Sequence, residues 1–273
     1  MTTQPHKTPP PVSLQQENFL RAHHRHHHRI TLGRFLLLLL FLGLWETAAR
    51  LGWIDSFFFS SPSGILQYLA QMFVDHSFFA HTGVTLFETI ASFFLVTAFS
   101  LLAATLLWYQ NSLSEILEPY LVVLNALPKS ALAPLLIVWL GTGTNTIIVA
   151  GISVAVFGSI ISLYTGFCQV DPEMCKLIYT LGGNRRDALT KVILPSSVPL
   201  ILSSMKVNIG LALVGVIIGE FLAARRGLGY LIIYGSQVFQ LNMVITSIII
   251  LCAIAMVFYK LIQSAEHYYK KKY

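Results

Sequence analysis

The chain alternates long apolar runs with short polar breaks. Apolar runs at about residues 34–51, 83–108, 119–140, 144–166, 196–220 and 243–262 each approach the roughly 20 residues an α-helix needs to cross the hydrocarbon core of a bilayer. The pattern predicts an all-α, polytopic membrane protein with six transmembrane helices. Residues 31–273 would form the membrane domain, and residues 1–30, rich in proline, glutamine and histidine without apolar periodicity, a disordered basic tail.

The one long polar interruption in the C-terminal two thirds is DPEMCKLIYTLGGNRRDALTKVILP, residues 171–195. Asp171 can accept from the free amides of a helix start, Pro172 fits the first helical position, and Glu173 suits the positive end of the helix dipole. Met174, Leu177, Ile178 and Leu181 then recur at helical spacing, which predicts one apolar face, and Gly182-Gly183 supplies a left-handed stop. Asn184 can cap a second short helix with Asp187 in its first turn and Ala188, Leu189, Val192 and Ile193 on its apolar side, ending at Pro195. Two short amphipathic helices joined by a glycine elbow fit lipid headgroups, a soluble partner or a plain loop equally well.

Other breaks lie inside the spans. The third span, LNALPKSALAPLLIVWLGTG, carries Pro128 and Pro134, each of which removes an amide donor and frees a carbonyl that must be satisfied within protein or a wet cavity. Lys129 follows the first proline. A charge in a span costs about 2.5–3.5 kcal/mol on insertion scales, so Lys129 needs water or a partner: it lines a polar pathway, or it pairs structurally with Glu88 or Glu220. Gly215 and Gly219 in the fifth span form a small-xxx-small pair suited to close helix packing. Lys206 sits about two turns into that span, placed to snorkel, and Glu220 lies near its far end. Glu88, Lys129, Lys206 and Glu220 are the candidates for a substrate path. After the fifth span, FLAARRGLGYLI predicts a turn or re-entrant loop. Residues 52–82 predict an interfacial segment with a short amphipathic helix over about 64–73.

Composition strengthens the membrane assignment. The 273 residues are 55% hydrophobic and 11% charged, with mean hydropathy +0.68, whereas soluble domains carry about 25% charged residues. The first apolar run lacks a clean cleavage site and is expected to be retained. The net charge of +6 does not indicate nucleic acid, because the basic residues sit at the ends of apolar runs. Lys7, Arg21, Arg25, Arg29 and Arg34, then Lys176, Arg185, Arg186 and Lys191, then Lys260, Lys270, Lys271 and Lys272 share one side of a six-span topology. The other side holds Arg50, Arg225 and Arg226. The positive-inside rule therefore makes both termini and the 171–195 hinge cytoplasmic. The histidines at 23, 24 and 26–28 could bind a metal, but the interleaved arginines favour a basic anchor on anionic headgroups. Cys168, Cys175 and Cys252 have unrelated spacings and suggest neither disulfides nor zinc.

The chain lacks the chemistry of an enzyme. No Gly-rich loop ends in GK[ST], and neither H-E-x-x-H nor GxSxG occurs, so no catalytic residue, cofactor or metal is expected and ATP would bind elsewhere. An ion-coupled secondary transporter using Glu88, Lys129 and Glu220 is one alternative. A membrane scaffold that recruits a soluble protein through the hinge is another.

Gly182, nine intervening residues, and Val192-Ile193-Leu194-Pro195 resemble the G-x9-I-x-L-P half of the cytoplasmic loop signature in permease subunits of bacterial binding-protein-dependent ABC importers. LWETAARLG, LPKSALAPLLIVWLGTG, DPEMCKLIYTLGGNRRDALTKVILPSSVPLI and VGVIIGEFLAARRGLGYLI are similar to the nitrate, sulfonate, taurine and bicarbonate branch of that family. The resemblance implies a multi-pass protein of the bacterial cell membrane, paired with a second permease copy in a homodimer or pseudo-dimer. It also implies a cytoplasmic ABC ATPase dimer docked on the hinge and an extracytoplasmic binding protein that delivers a small solute. On it, Gly182, Gly183, Arg185, Arg186, Asp187, Leu194 and Pro195 would form the ATPase-coupling surface. One departure is that the family commonly has Glu-Ala-Ala where this chain has Lys176-Leu177-Ile178, which reverses the charge at one contact position.

Overall fold

The computed structural model describes the backbone of residues 14–272 and the side chains of residues 30, 32–55 and 57–269. The chain divides into two units, Met1–Ser63 and Gly64–Tyr273, and each is described by itself.

The first unit is built on α1 (Leu14–Arg50), whose apolar part, Leu32–Arg50, is long enough to cross a membrane. Residues 14–30, expected as a disordered tail, are helical. They contain no glycine or proline, and an adjoining apolar helix removes the cost of nucleating a new one. Residues 1–13 and the side chains of the histidine run lie outside the described residues. α2 (Ser56–Phe59) follows. Glu46 near the end of α1 accepts from Arg50 at 2.7 Å and from the Ser63 amide at 3.0 Å, which closes the connection onto its own helix.

The second unit begins within α3 (Pro62–Val74), close to the amphipathic segment expected at 64–73, and continues with α4 (Ser77–Tyr109). α5 (Asn111–Ala126) and α6 (Lys129–Leu140) follow, then α7 (Thr144–Cys168). The hinge comprises α8 (Pro172–Thr180), α9 (Arg185–Ala188), a π-helical turn (Leu189–Ile193) and α10 (Leu194–Ser196). α11 (Val198–Ala223), α12 (Leu228–Gln237) and α13 (Leu241–Lys272) complete it. α4, α7, α11 and α13, with Leu32–Arg50 of α1, are each long and apolar enough to span a bilayer. The sixth expected span is the bent pair α5 and α6, whose axes meet at 96°.

That bend follows from one proline. Leu127 before Pro128 is extended (φ −61°, ψ 137°), as a residue preceding proline must be, and the helix restarts at Lys129. Pro134, expected to break the span as well, and Pro119 both lie inside helices. The carbonyls exposed where α5 ends are answered by Lys129, whose ammonium donates to Leu124 O and to Asn125 O at 3.2 Å. A cation at a helix C-terminus is favoured by the dipole as well as by the hydrogen bonds.

The core is α7 packed between α4 and α11, and small residues set the spacing. A Cβ on Gly215 of α11 would stand 2.7 Å from Gly151 Cα and 2.9 Å from Ala150 O of α7. A Cβ on Gly219 would lie 3.0 Å from Ile147 Cα. The expected small-xxx-small pair thus meets a third glycine, and the two backbones touch. Lower down, Ser159 of α7 donates to Ser100 of α4 at 2.9 Å and accepts from Asn208 of α11 at 2.9 Å. These buried polar groups tie the three helices where apolar burial does not distinguish protein from lipid.

Candidate functional site

The hinge sits where α4 and α7 end and α11 begins. Asp171 caps α8 by accepting from Glu173 N at 2.9 Å, and Pro172 occupies the first helical position. Gly182 adopts φ +82° and turns the chain, while a Cβ on Gly183 would lie 2.9 Å from Ile178 O. Asn184 then forms a capping box: its side chain accepts from the amides of Arg186 and Asp187, and Asp187 accepts from Asn184 N at 3.0 Å. This bond, followed by the one from Lys191, holds the Asp187 carboxyl below its usual pKa.

Beyond the box the chain does not stop at Pro195. Leu194 N bonds to Leu189 O, five residues back, and this widened turn lets a helix continue past a proline that lacks its amide. Ala188, Leu189, Val192 and Ile193 are buried. Leu189 and Ile193 cluster with Ala104 of α4 and Leu163 and Phe167 of α7, and Cys175 and Leu194 pack against that cluster. The hinge is therefore seated on the ends of two core helices.

Its outward face is apolar as well. Met174, Leu177, Tyr179 and Leu181 are exposed, Leu181 to 76%. Ile178, expected on the same face, turns inward against Gly183. Lys176 pairs with Glu173 at 2.7 Å, with both side chains largely in solvent. Of the residues expected on the coupling surface, Gly182, Arg186 and Pro195 are exposed, and Gly183, Asp187 and Leu194 are half-buried. Arg185 points into the protein: it donates to Trp108 O at 2.8 Å and to Asn111 Oδ1 at 2.6 Å, over the rings of Trp108 and Tyr109.

The four candidates for a substrate path do not converge. Glu88 and Glu220 meet at the end of the core opposite the hinge, 20 residues or about 30 Å along α4 from Trp108. Lys129 lies 5.4 Å over the Phe157 ring, 13 residues along α7 from Thr144, which faces Glu88. It pairs with neither glutamate; its partners are backbone carbonyls. Lys206 forms an ion pair with Glu266 of α13.

Glu220 has a defined task. Its carboxylate accepts from Thr85 Oγ1 at 2.7 Å and from Gly229 N at 2.5 Å, while Leu228 N donates to Thr85 Oγ1 at 2.8 Å and Gly227 N to His81 Nδ1 at 3.1 Å. Side chains from α4 and α11 thus satisfy the free amides at the head of α12, a natural seat for a carboxylate. The two glycines are required by this approach, because a Cβ on Gly227 would overlap the Glu220 carboxyl and one on Gly229 would lie 2.8 Å from Glu220 Cβ. The stretch expected as a turn or re-entrant loop is accordingly a short helix pinned from two sides. Glu88 is 1% exposed, buried beside Glu220 and Thr144. It lines a cleft of about 490 Å³ with Thr142, Thr144, Arg225 and Arg226.

Sequence reasoning missed Thr85, His81, Trp108 and Asn111. A usable signal existed for the first two: Gly227 and Gly229 follow a glutamate in an apolar run, which implies that something approaches the backbone closely. Among the described residues no group of three or more His, Cys, Asp or Glu side chains could hold a metal ion.

The chain is similar in sequence and in fold to known proteins. The chain is 31% identical over 219 residues to a probable ABC transporter permease protein of Haemophilus influenzae, covering 80% of this chain and 88% of that one. It is 25% identical to the putative aliphatic sulfonates transport permease of Bacillus subtilis (80% and 79% covered) and 26% identical to the taurine transport system permease of Escherichia coli (78% and 80%). In structure it superposes on an inward-facing MetNI methionine ABC transporter chain with TM-score 0.57 at 16% identity, over 66% of this chain and 92% of that one. The sequence profile of the binding-protein-dependent transport system inner membrane component matches residues 96–268, more than half of the chain, and the protein belongs to that family.

Proposed function

We propose that this permease forms the membrane path of an ATP-driven importer and that the hinge is the seat of a cytoplasmic ABC ATPase dimer. A second copy of the chain completes the path, an extracytoplasmic binding protein supplies the solute, and both termini face the cytoplasm. The observation that carries the reading is the outward face of α8. Met174, Leu177 and Leu181 are exposed on a segment outside the spans, and a contiguous exposed apolar face marks a contact surface, while the turn that follows is seated on the core through Leu189 and Ile193. Such a surface needs a protein partner, and a permease without a phosphate-binding loop of its own needs an ATPase. The relatives named for aliphatic sulfonates and taurine support a small sulfonate as cargo.

The test is co-purification. Leu177→Asp places a charge on the exposed face, leaves the inner cluster untouched, and is expected to abolish recovery of the ATPase with the solubilised permease while the permease stays folded. Undiminished recovery of the ATPase would overturn the docking assignment. Uptake of radiolabelled taurine that persists in cells lacking the ATPase would overturn the ATP-driven reading itself.

A further inference from the structure

We propose that Arg185 is the strut that makes the hinge and the α4–α5 corner move as one piece; the proposal rests on the hinge being the ATPase seat. A basic residue in an exposed polar loop would ordinarily lie in solvent or face the partner, as Arg186 does. Arg185 instead is half-buried, and one guanidinium touches three elements at once. It starts α9, directly after the Asn184 cap. Its Nη2 donates to Trp108 O, one of the last carbonyls of α4, at 2.8 Å, and to the Asn111 side chain, which opens α5, at 2.6 Å. Its central carbon stands 5.4 Å and 5.9 Å from the Trp108 and Tyr109 ring centroids.

This geometry needs arginine in particular. A planar guanidinium stacks on aromatic faces while its edge donors reach two acceptors, whereas a lysine ammonium is a point charge that does neither together. The positive charge is also well placed at the C-terminal end of the α4 dipole. Gln110 alone separates α4 from α5, and α5 packs on α7 through Leu113 and Leu121, so Arg185 adds a direct polar tie between the hinge and a corner whose own packing is apolar. On the other side, the capping box and the Lys191–Asp187 pair stiffen the start of α9. The hinge is thereby attached to the core twice: through the buried Leu189–Ile193 cluster on α4 and α7, and through Arg185 on the corner that leads to α5 and its bent partner α6. The first attachment carries α4 and α7 with the hinge. Arg185 is the direct tie from the hinge to the start of α5.

Spin labels at Thr180 of α8 and Glu115 of α5, both exposed, test this in the permease bound to its ATPase, with Cys168, Cys175 and Cys252 replaced. With Arg185 present, the 115–180 distance is expected to hold between the nucleotide-free and MgATP–vanadate-trapped states. In R185A, ATPase recovery is expected to match the parent while the 115–180 distance shifts by several ångström on trapping. R185K, which keeps the charge and the fold but not the stacked fork, is expected to shift as R185A does. An unshifted distance in R185A, a parent-like trace in R185K, or loss of the ATPase from R185A alone would each overturn the strut; the last would make Arg185 a docking contact. Failure of the parent chain to retain any ATPase would instead remove the reading on which the strut rests.

Discussion

Thr85→Val isolates the polar head of α12 with almost no change in shape. Thr85 is fully buried, donates to the Glu220 carboxylate at 2.7 Å and accepts from Leu228 N at 2.8 Å, and Leu228 is itself fully buried. Removing the hydroxyl deletes a buried hydrogen bond, worth about 0.5–1.5 kcal/mol, and strands a buried amide, which costs about 1–3 kcal/mol. The expected destabilisation is about 3 kcal/mol, the middle of a combined range of about 1.5–4.5 kcal/mol. On the scale of globular domains of this size it lowers Tm by about 10 °C. The assay is fluorescence-detected thermal unfolding in detergent, repeated with Glu220→Ala and with both changes together. Because the two residues share one network, the double variant should lose clearly less than the sum of the singles. A Thr85→Val protein that melts within a degree of the parent would refute the view that Glu220 and Thr85 hold α12.

Three further outcomes follow from the geometry. Gly215→Ala should destabilise by about 1–3 kcal/mol, because its Cβ would meet backbone atoms of α7 at 2.7 and 2.9 Å, whereas Gly210→Ala, with nothing within 4 Å, should be neutral in the same melting assay. Lys129→Met should lower stability by about 1–2 kcal/mol through loss of its bonds to the α5 carbonyls; unchanged melting with lost uptake would contradict the helix-end role and support a role in the solute path. The Asp187 carboxyl is held below its ordinary pKa, so its contribution to the hinge cap is complete above about pH 4 and is lost as pH falls through the lowered value. Hydrogen exchange at the Asn184 amide, which donates to the Asp187 carboxylate, should lose its protection only in that acid window, and Asp187→Asn should remove the dependence.

What could be read in advance was what the chain states locally. The Asp171 cap, the Pro172 start, the Gly182 turn and the Asn184–Asp187 box all join residues within a few positions of one another, and side-chain type alone specifies such bonds. The long apolar runs were legible for the same reason, since length decides whether a helix can cross a bilayer. Arg185 was not, because its acceptors lie 77 and 74 residues away, and a loop arginine looks the same whether it faces solvent or a tryptophan. The contact of Glu220 with Thr85 was not legible either, because the two lie 135 positions apart. The partners of Lys129 depend on the bend at Pro128, which turns the last carbonyls of α5 toward its ammonium. In each case the charge was correctly recognised as needing a partner, and the partner depended on packing.

The central claim is that the outward face of α8 carries the ATPase, and a photo-crosslinker in place of Leu177 tests it most directly. Irradiation of membranes containing the permease and its ATPase should give one dominant adduct of the summed mass, identified as the ATPase by peptide sequencing. Adducts confined to lipid, or none above those from a crosslinker at the membrane-embedded residue Val207, would contradict it.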